Sequence, residues 1–394
     1  MKKKFACLAM AMVMVLSLAA CGGKKEEAPA AAPAESGSDS SVSVFKVGTI
    51  GPLSGDAAIY GQAVANGAKI AVDEINAADG AIQFELQSQD DEADGEKSVN
   101  AYNTLMDWGM QVMVGPTTTG ASIAVSAQAN ADRTFMLTPS ASSVDVIDGK
   151  DNVFQVCFTD PNQGVASADY ISANMAGAKV AVIYRNDDAY SQGIRDTFVS
   201  EAADKGLEVV YEGTFTADTA TDFSVQLTGA QSAGADTVFL PIYYQPASVI
   251  LNQANAMGYE PTFFGVDGMD GILTMEGFDT SLAEGVMLLT PFSADAEDAR
   301  TQTFVKAYQA AYGDVPNQFA ADAYDAVYIY AAALEAAGCT ADMSSADICE
   351  ALVGVMTTIS VDGLTGQGMT WDASGAVSKA PMAVIIENGT YVLP

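Results

Sequence analysis

Short apolar runs alternate with stretches of helical spacing along most of this chain. Val44–Ile50 is an apolar run of strand length, and Val64, Ala68, Ala71, Val72 and Ile75 recur at helical intervals over 61–76. Strands are predicted next at 84–89, 112–114 and 134–138, with helices at 97–108 and from Thr119 or Gly120, as N-cap, to about Gln128. After Asp160-Pro161 the alternation starts again. It gives helices at 163–175, 191–205, 222–233 and 246–257, and strands at 179–184, 208–211, 237–240 and 262–265. This is the pattern of an α/β chain with two successive doubly wound parallel sheets. Their strands read apolar throughout because helices cover both faces. The rest is a strand at 286–289, helices at 298–312, 318–337 and 346–356, and short strands up to Leu393. It does not make a third unit, so it is expected to complete the first two. The chain then crosses between units more than once, which makes a hinge and leaves a cleft.

The N-terminus departs from this pattern. Lys2, Lys3 and Lys4 precede an apolar run from Phe5 to Ala20, which makes 1–20 a signal peptide. Leu18-Ala19-Ala20-Cys21 followed by Gly22 resembles a bacterial lipobox, with Cys21 the lipidated first residue after cleavage. Residues 21–43 are rich in Ala, Pro, Glu, Ser and Gly and read as a flexible leash.

Charge and composition narrow the function. Fifty acidic residues against 17 basic ones give a net charge of −33, which disfavours nucleic acid and anionic membrane as partners. Contact with the membrane is expected only through the lipid anchor. The chain has no histidine, which excludes Ser-His-Asp catalysis and His-ligated zinc. Cys157 sits alone in an apolar strand and reads as a small buried hydrophobe. Cys339 and Cys349 flank a short acidic loop; in an exported protein this spacing admits a disulfide but is not that of a metal site. No G-x-G-x-x-G, G-x-x-x-x-G-K-[ST] or G-x-S-x-G pattern occurs. The expectation is therefore not an enzyme, with no cofactor and no metal.

The candidate chemistry lies at strand ends. Val112-Met113-Val114 runs into Gly115-Pro116-Thr117-Thr118-Thr119-Gly120 and then a helix, whose first N–H groups lack partners within it. Phe135-Met136-Leu137-Thr138 runs into Pro139-Ser140-Ala141-Ser142 in the same way. Two neighbouring strand ends thus offer hydroxyl and amide donors to one spot, which suits the carboxylate of a small ligand. Asp267 follows the 262–265 strand, and Tyr60, Tyr190 and Tyr243 are loop aromatics at strand ends. Phe319 is a weaker wall candidate, because a helix-start phenylalanine is more often core; Tyr328 and Tyr330 read as core, and Asp90-Asp91-Glu92 as a solvated turn.

Several of these runs carry a family resemblance. They are Val47-Gly48-Thr49-Ile50-Gly51-Pro52-Leu53-Ser54-Gly55, Tyr60-Gly61, 115–120, 137–142, Asp188-Ala189-Tyr190-Ser191-Gln192-Gly193 and Tyr324-Asp325-Ala326. With them the chain resembles the leucine/isoleucine/valine-binding proteins of branched-chain amino-acid ABC transporters, which have the type I periplasmic-binding-protein fold. The resemblance implies two lobes joined by a three-crossover hinge, near Asp160, Pro291 and Lys379. Lobe 1 would be 44–160 plus 291–379, and lobe 2 would be 161–290 plus 380–394. It implies a carboxylate site at Thr119, Ser140 and Ser142, and cleft walls at Tyr60, Tyr190 and Tyr243. Asp267 would meet the ligand's ammonium, in a place where the family usually has glutamate.

The function implied is an extracytoplasmic, membrane-anchored monomer. It would bind a small amino acid, branched-chain or otherwise apolar, and deliver it to ABC permease subunits. Two alternatives stay open: the same role for an amide, urea or aromatic acid, and a sensory ligand-binding domain, against which counts the lack of an output module before Pro394. The amino-acid reading requires Thr119 and Asp267 to face a common gap that the protein's own side chains leave free.

Overall fold

The computed structural model describes residues 43–394. The predicted signal peptide, Cys21 and nearly all of the predicted linker lie outside the described residues.

The first sheet is built from β1 (Ser43–Gly51), β2 (Ile82–Asp90), β3 (Val112–Val114), β4 (Phe135–Thr138) and β5 (Val153–Gln155), in the order β2-β1-β3-β4-β5. All its pairings are parallel. The connections carry α1 (Ala58–Ala77), α2 (Gly95–Trp108) and α3 (Thr119–Asp132). The second sheet takes β6 (Lys179–Arg185), β7 (Glu208–Phe215), β8 (Thr237–Leu240), β9 (Thr262–Gly265) and β10 (Met287–Thr290). With the last two strands, β11 (Met382–Glu387) and β12 (Thr390–Val392), its order is β12-β11-β10-β9-β8-β6-β7. Both of these C-terminal strands pair antiparallel. The helices α4 (Asp160–Asn174), α5 (Ala189–Lys205), α6 (Ser224–Ser232) and α7 (Tyr244–Met257) belong to this second unit.

The chain returns to the first sheet for α8 (Ala299–Tyr312), α9 (Gln318–Ala337) and α10 (Ser345–Met356). α9 packs on α1, α8 also meets α1, and α10 meets α9 and β4. Alanines at 320, 321, 323, 326 and 333 line the buried part of α9 and let it lie close. The approach is tight enough that a Cβ on Gly67 of α1 would stand 2.0 Å from the Ala320 carbonyl oxygen. The segment after α10 also folds back here: Trp371 Nε1 donates to Gln155 O at 2.8 Å. Near its end, buried Lys379 donates to Asp322 Oδ1 at 2.5 Å and to Thr365 Oγ1 at 2.8 Å.

In each sheet the winding reverses at one place, between β1 and β3 and between β6 and β8. Loops leaving the carboxyl ends of strands at such a reversal diverge to opposite faces, so a crevice opens above them. Both crevices supply the site below.

Several expectations need correction. The apolar strand expected around Cys157 is β5, which ends two residues earlier at Gln155. Thr118, not Thr119 or Gly120, caps α3, and it does so without a side-chain hydrogen bond. Asp91 is not solvated but fully buried, accepting from Ala93 N and Ser98 Oγ at 2.9 Å each. Cys339 and Cys349 are free thiols, so the disulfide that their spacing admitted is not made. Both are buried, Cys349 on the inner face of α10, and burial pushes the Cys349 thiol up to about 11. They pack as small hydrophobes.

Candidate functional site

One small space is lined by Tyr60, Thr117, Thr118, Thr119, Ser140, Tyr190, Tyr243, Asp267, Gly268 and Phe319. It has two walls. The hydroxyl wall comes from the β1–β3 reversal and the end of β4. Gly115 starts it: with φ of 120° and a Cβ position 2.6 Å from the Ile50 carbonyl, only glycine fits. The turn therefore lies flat on β1 and delivers three threonines in a row. Thr117 Oγ1 donates to Ile50 O at 3.3 Å, and Ser140 Oγ donates to Thr117 O at 2.6 Å. Those two hydroxyls hold the turn together. Thr118 Oγ1 and Thr119 Oγ1 are buried and have no partner among the described residues. A buried hydroxyl left unmade costs about 1–3 kcal/mol, so these two donors are spare capacity at the head of α3.

The acid wall comes from the β6–β8 reversal and the end of β9. Asp267 is 2 % exposed. Its Oδ1 accepts from Tyr190 Oη at 2.5 Å and from Gly268 N at 2.7 Å, and its N–H donates to Gln163 Oε1 at 3.1 Å. Burial pushes the carboxyl up to about 6, against the pull of the Tyr190 and Gln163 hydrogen bonds. Tyr190 is itself pushed well above its ordinary value, by burial first and by the Asp267 charge second.

The walls touch. The Tyr60 hydroxyl donates to the Gly268 carbonyl and accepts from Tyr244 N at 3.2 Å, while Tyr244 Oη donates to Asp56 O at 2.8 Å. The Tyr60 ring packs edge-on against Tyr243, Tyr244 and Phe319, with centroids 5.2, 5.0 and 4.6 Å away. What remains between them is a cavity of about 20 Å³, room for a single water. Thr119 and Asp267 thus face a common gap, but aromatic rings fill most of it, where an open gap was expected. Beyond Tyr243 the cleft widens into a hollow of about 360 Å³, lined among others by Asp56, Arg185, Asp188, Phe215 and Ile242.

Residues 44–390 match the family profile described as periplasmic binding protein. The chain belongs to the periplasmic binding protein family. Its members are ligand-binding components of transporters rather than enzymes, and they work outside the cytoplasm with membrane permeases. Among the described residues no helix is long and apolar enough to cross a membrane. The Leu/Ile/Val-binding protein homolog 3 of Brucella melitensis is 33% identical over 78% of this chain and 82% of its own length. The branched-chain amino-acid transporter binding protein LivJ of Streptococcus pneumoniae, solved with isoleucine, is 31% identical. It superposes with a TM-score of 0.79 over 88% of this chain and 97% of its own. A solute-binding protein from R. palustris, solved with benzoate, has a TM-score of 0.79 at 23% identity, over 89% and 95% of the two chains, and so shares the fold. The type I periplasmic-binding-protein fold and the branched-chain amino-acid transporter family are thereby established.

In this binding protein six of the seven predicted ligand residues, Tyr60, Thr119, Ser140, Tyr190, Tyr243 and Asp267, line one space. Ser142 does not line it. It is fully buried behind the wall, its carbonyl accepting from Asp160 N at 2.9 Å and its Oγ 3.5 Å from Gln163 Nε2. Phe319, the weaker wall candidate, also lines the space. Sequence reasoning missed Thr118, Gly268 and Gln163. Thr118 sits in the same hydroxyl run, but its neighbour drew the reading. Gln163 gave no signal, because its role depends on α4 bringing it against β9.

Proposed function

We propose that the protein is the lipid-anchored, monomeric receptor of an ABC importer for a small amino acid with an apolar side chain, a branched-chain one first. The observation that carries this is the pairing of two spare threonine hydroxyls with a buried carboxylate across one space. The hydroxyl wall suits the ligand's carboxylate, with the N–H groups of α3 behind it. Asp267 suits the ammonium. Cys21 would carry the anchor. We take the lobes as 44–160 plus 291–379 and 161–290 plus 380–394, a division supported by which sheet each segment joins. The free gap that this reading requires is not open in this arrangement, where the cavity is water-sized, so entry of any amino acid requires the Tyr60–Gly268 and Tyr244–Asp56 contacts to part. The ligand then takes over the bridging, so binding favours the closed arrangement.

The test is a thermal-shift screen of the twenty amino acids, followed by calorimetry of leucine against 4-methylpentanoate, which lacks only the ammonium. The amino acid should bind far more tightly. Equal binding would leave Asp267 without its role and remove the amino-acid reading. A second reading, an aromatic carboxylate, is favoured by the four rings that wall the space, Tyr60, Tyr190, Tyr243 and Phe319. Benzoate belongs in the same screen as its probe.

A further inference from the structure

Four rings wall the ligand space, and three of them have nowhere to go. The Tyr190 hydroxyl donates to Asp267 Oδ1 at 2.5 Å and accepts from Gly268 N at 3.0 Å. Tyr60 is packed among Tyr243, Tyr244 and Phe319. Phe319 sits in the first turn of α9, within the hydrophobic core. These three are 3, 3 and 4 % exposed. Tyr243 is only half-buried. Its ring meets Tyr60 and Tyr190 with centroids 5.2 and 5.0 Å away, but no hydrogen bond among the described residues reaches its hydroxyl. Gly268 makes room for the ring, since a Cβ there would stand 3.0 Å from Tyr243 Cδ1.

Of the residues that line the ligand space, Tyr243 alone also lines the hollow of about 360 Å³ beyond it. It is therefore a partition with a cavity on both sides. The closed space has room for one water. Once the two walls hold a ligand's carboxylate and ammonium, its side chain needs volume that the space lacks. Packed interiors yield only where there is room to move into, and among the lining side chains that room lies behind Tyr243. Ala57, Ala93, Phe215, Ile242 and Pro246 give the hollow an apolar wall. Arg185, which also lines it, is engaged with Asp187 at 2.7 Å. Burial first, and the charge of Asp188 second, push the Tyr243 hydroxyl well above its ordinary value, so the ring stays neutral and turns without moving a charge.

We propose that Tyr243 sets the size of side chain that the site accepts: its ring is the partition that yields, and the hollow behind it is the subsite for a large apolar or aromatic side chain. This rests on the reading that Thr119 and Asp267 hold the ligand's polar ends. A branched side chain needs only the volume that the ring gives up by turning. A phenyl group has to reach past it.

The experiment is Tyr243→Ala, with leucine and phenylalanine as probes in calorimetry and the ratio of their affinities as the readout. The ratio should move toward phenylalanine by about tenfold or more, as filling a newly opened apolar volume does. Ala217 is exposed and lines the hollow from the far side. Adding Ala217→Trp to the first variant fills the hollow and should reverse the gain. An unchanged ratio overturns the inference, and so does a gain that Ala217→Trp leaves in place, because the side chain then lies elsewhere. The same ratio is read with 4-methylpentanoate and 3-phenylpropanoate. If only these deaminated probes bind, the amino-acid reading fails while the size ratio still decides the role of Tyr243. If no probe binds, both fall. Thermal denaturation checks the fold, and Tyr243→Leu serves if the alanine variant is unfolded. If neither variant folds, the ring serves the fold and the inference is wrong.

Discussion

The two walls of the cleft are built on opposite plans. On the hydroxyl wall, Thr118 and Thr119 keep their oxygens unpartnered while Thr117 and Ser140 brace the turn. On the acid wall Asp267 Oδ1 is held by Tyr190 and Gly268 and its N–H by Gln163, while no hydrogen bond among the described residues reaches Oδ2. The first wall is ready to donate, and the second has its charge fixed in place beforehand. The difference shows where specificity and affinity separate. Donors with no internal duty can be removed without hurting the fold, whereas the held acid is part of both fold and site.

The comparison breaks most visibly at Asp267. Asp267→Ala should weaken amino-acid binding by about a hundredfold or more, as loss of a buried charge partner does. Calorimetry against the deaminated analogue, whose affinity should hardly change, is the check. Acid should do the same reversibly. With the carboxyl at about 6 when buried, lowering the pH below that value protonates it, and affinity should fall by about tenfold per pH unit. The stability of the unliganded fold should move the other way. Because the native carboxyl binds its proton more tightly than the unfolded chain does, stability rises as pH drops from about 6 toward the ordinary carboxylate range. Opposite pH slopes for binding and for unliganded melting are the signature, and parallel slopes would remove Asp267 from the ligand.

Smaller effects sharpen the contrast. Thr119→Val should cost about tenfold in affinity, the worth of one charge-assisted hydrogen bond, with little loss of melting temperature because the hydroxyl serves no internal bond. A large drop in stability would show that it does. Smallest of all, Tyr244→Phe removes the bond to Asp56 O between the walls, worth about 0.5–1.5 kcal/mol. It should raise the rate of ligand entry in stopped-flow more than it changes the equilibrium.

What could be read in the chain follows from the range of the forces involved. Strands and helices declare themselves locally: 237–240, 262–265 and 318–337 were predicted with the bounds the structure gives. The hydroxyl runs and strand-end tyrosines were legible for the same reason. The closing of the gap was not, since it depends on Tyr60 reaching Gly268 across 208 positions of sequence. Nor was the burial of Asp91 among its donors. Whether an aspartate finds a donor is a property of its neighbours in space, and in a chain with 50 acids no single one stands out. Ser142 misled because a hydroxyl beside a strand end looks the same whether it faces forward or back.

The Lys379 ammonium, sunk against Asp322 and Thr365, moors the last connector to the floor of the first sheet's helices. Only Ala380 and Pro381 separate that mooring from β11, and the proline ring stiffens one of them. A strap this short can twist but cannot lengthen. The first residues of β11 are thereby held within reach of α9, so this connector leaves no slack between the two sheets.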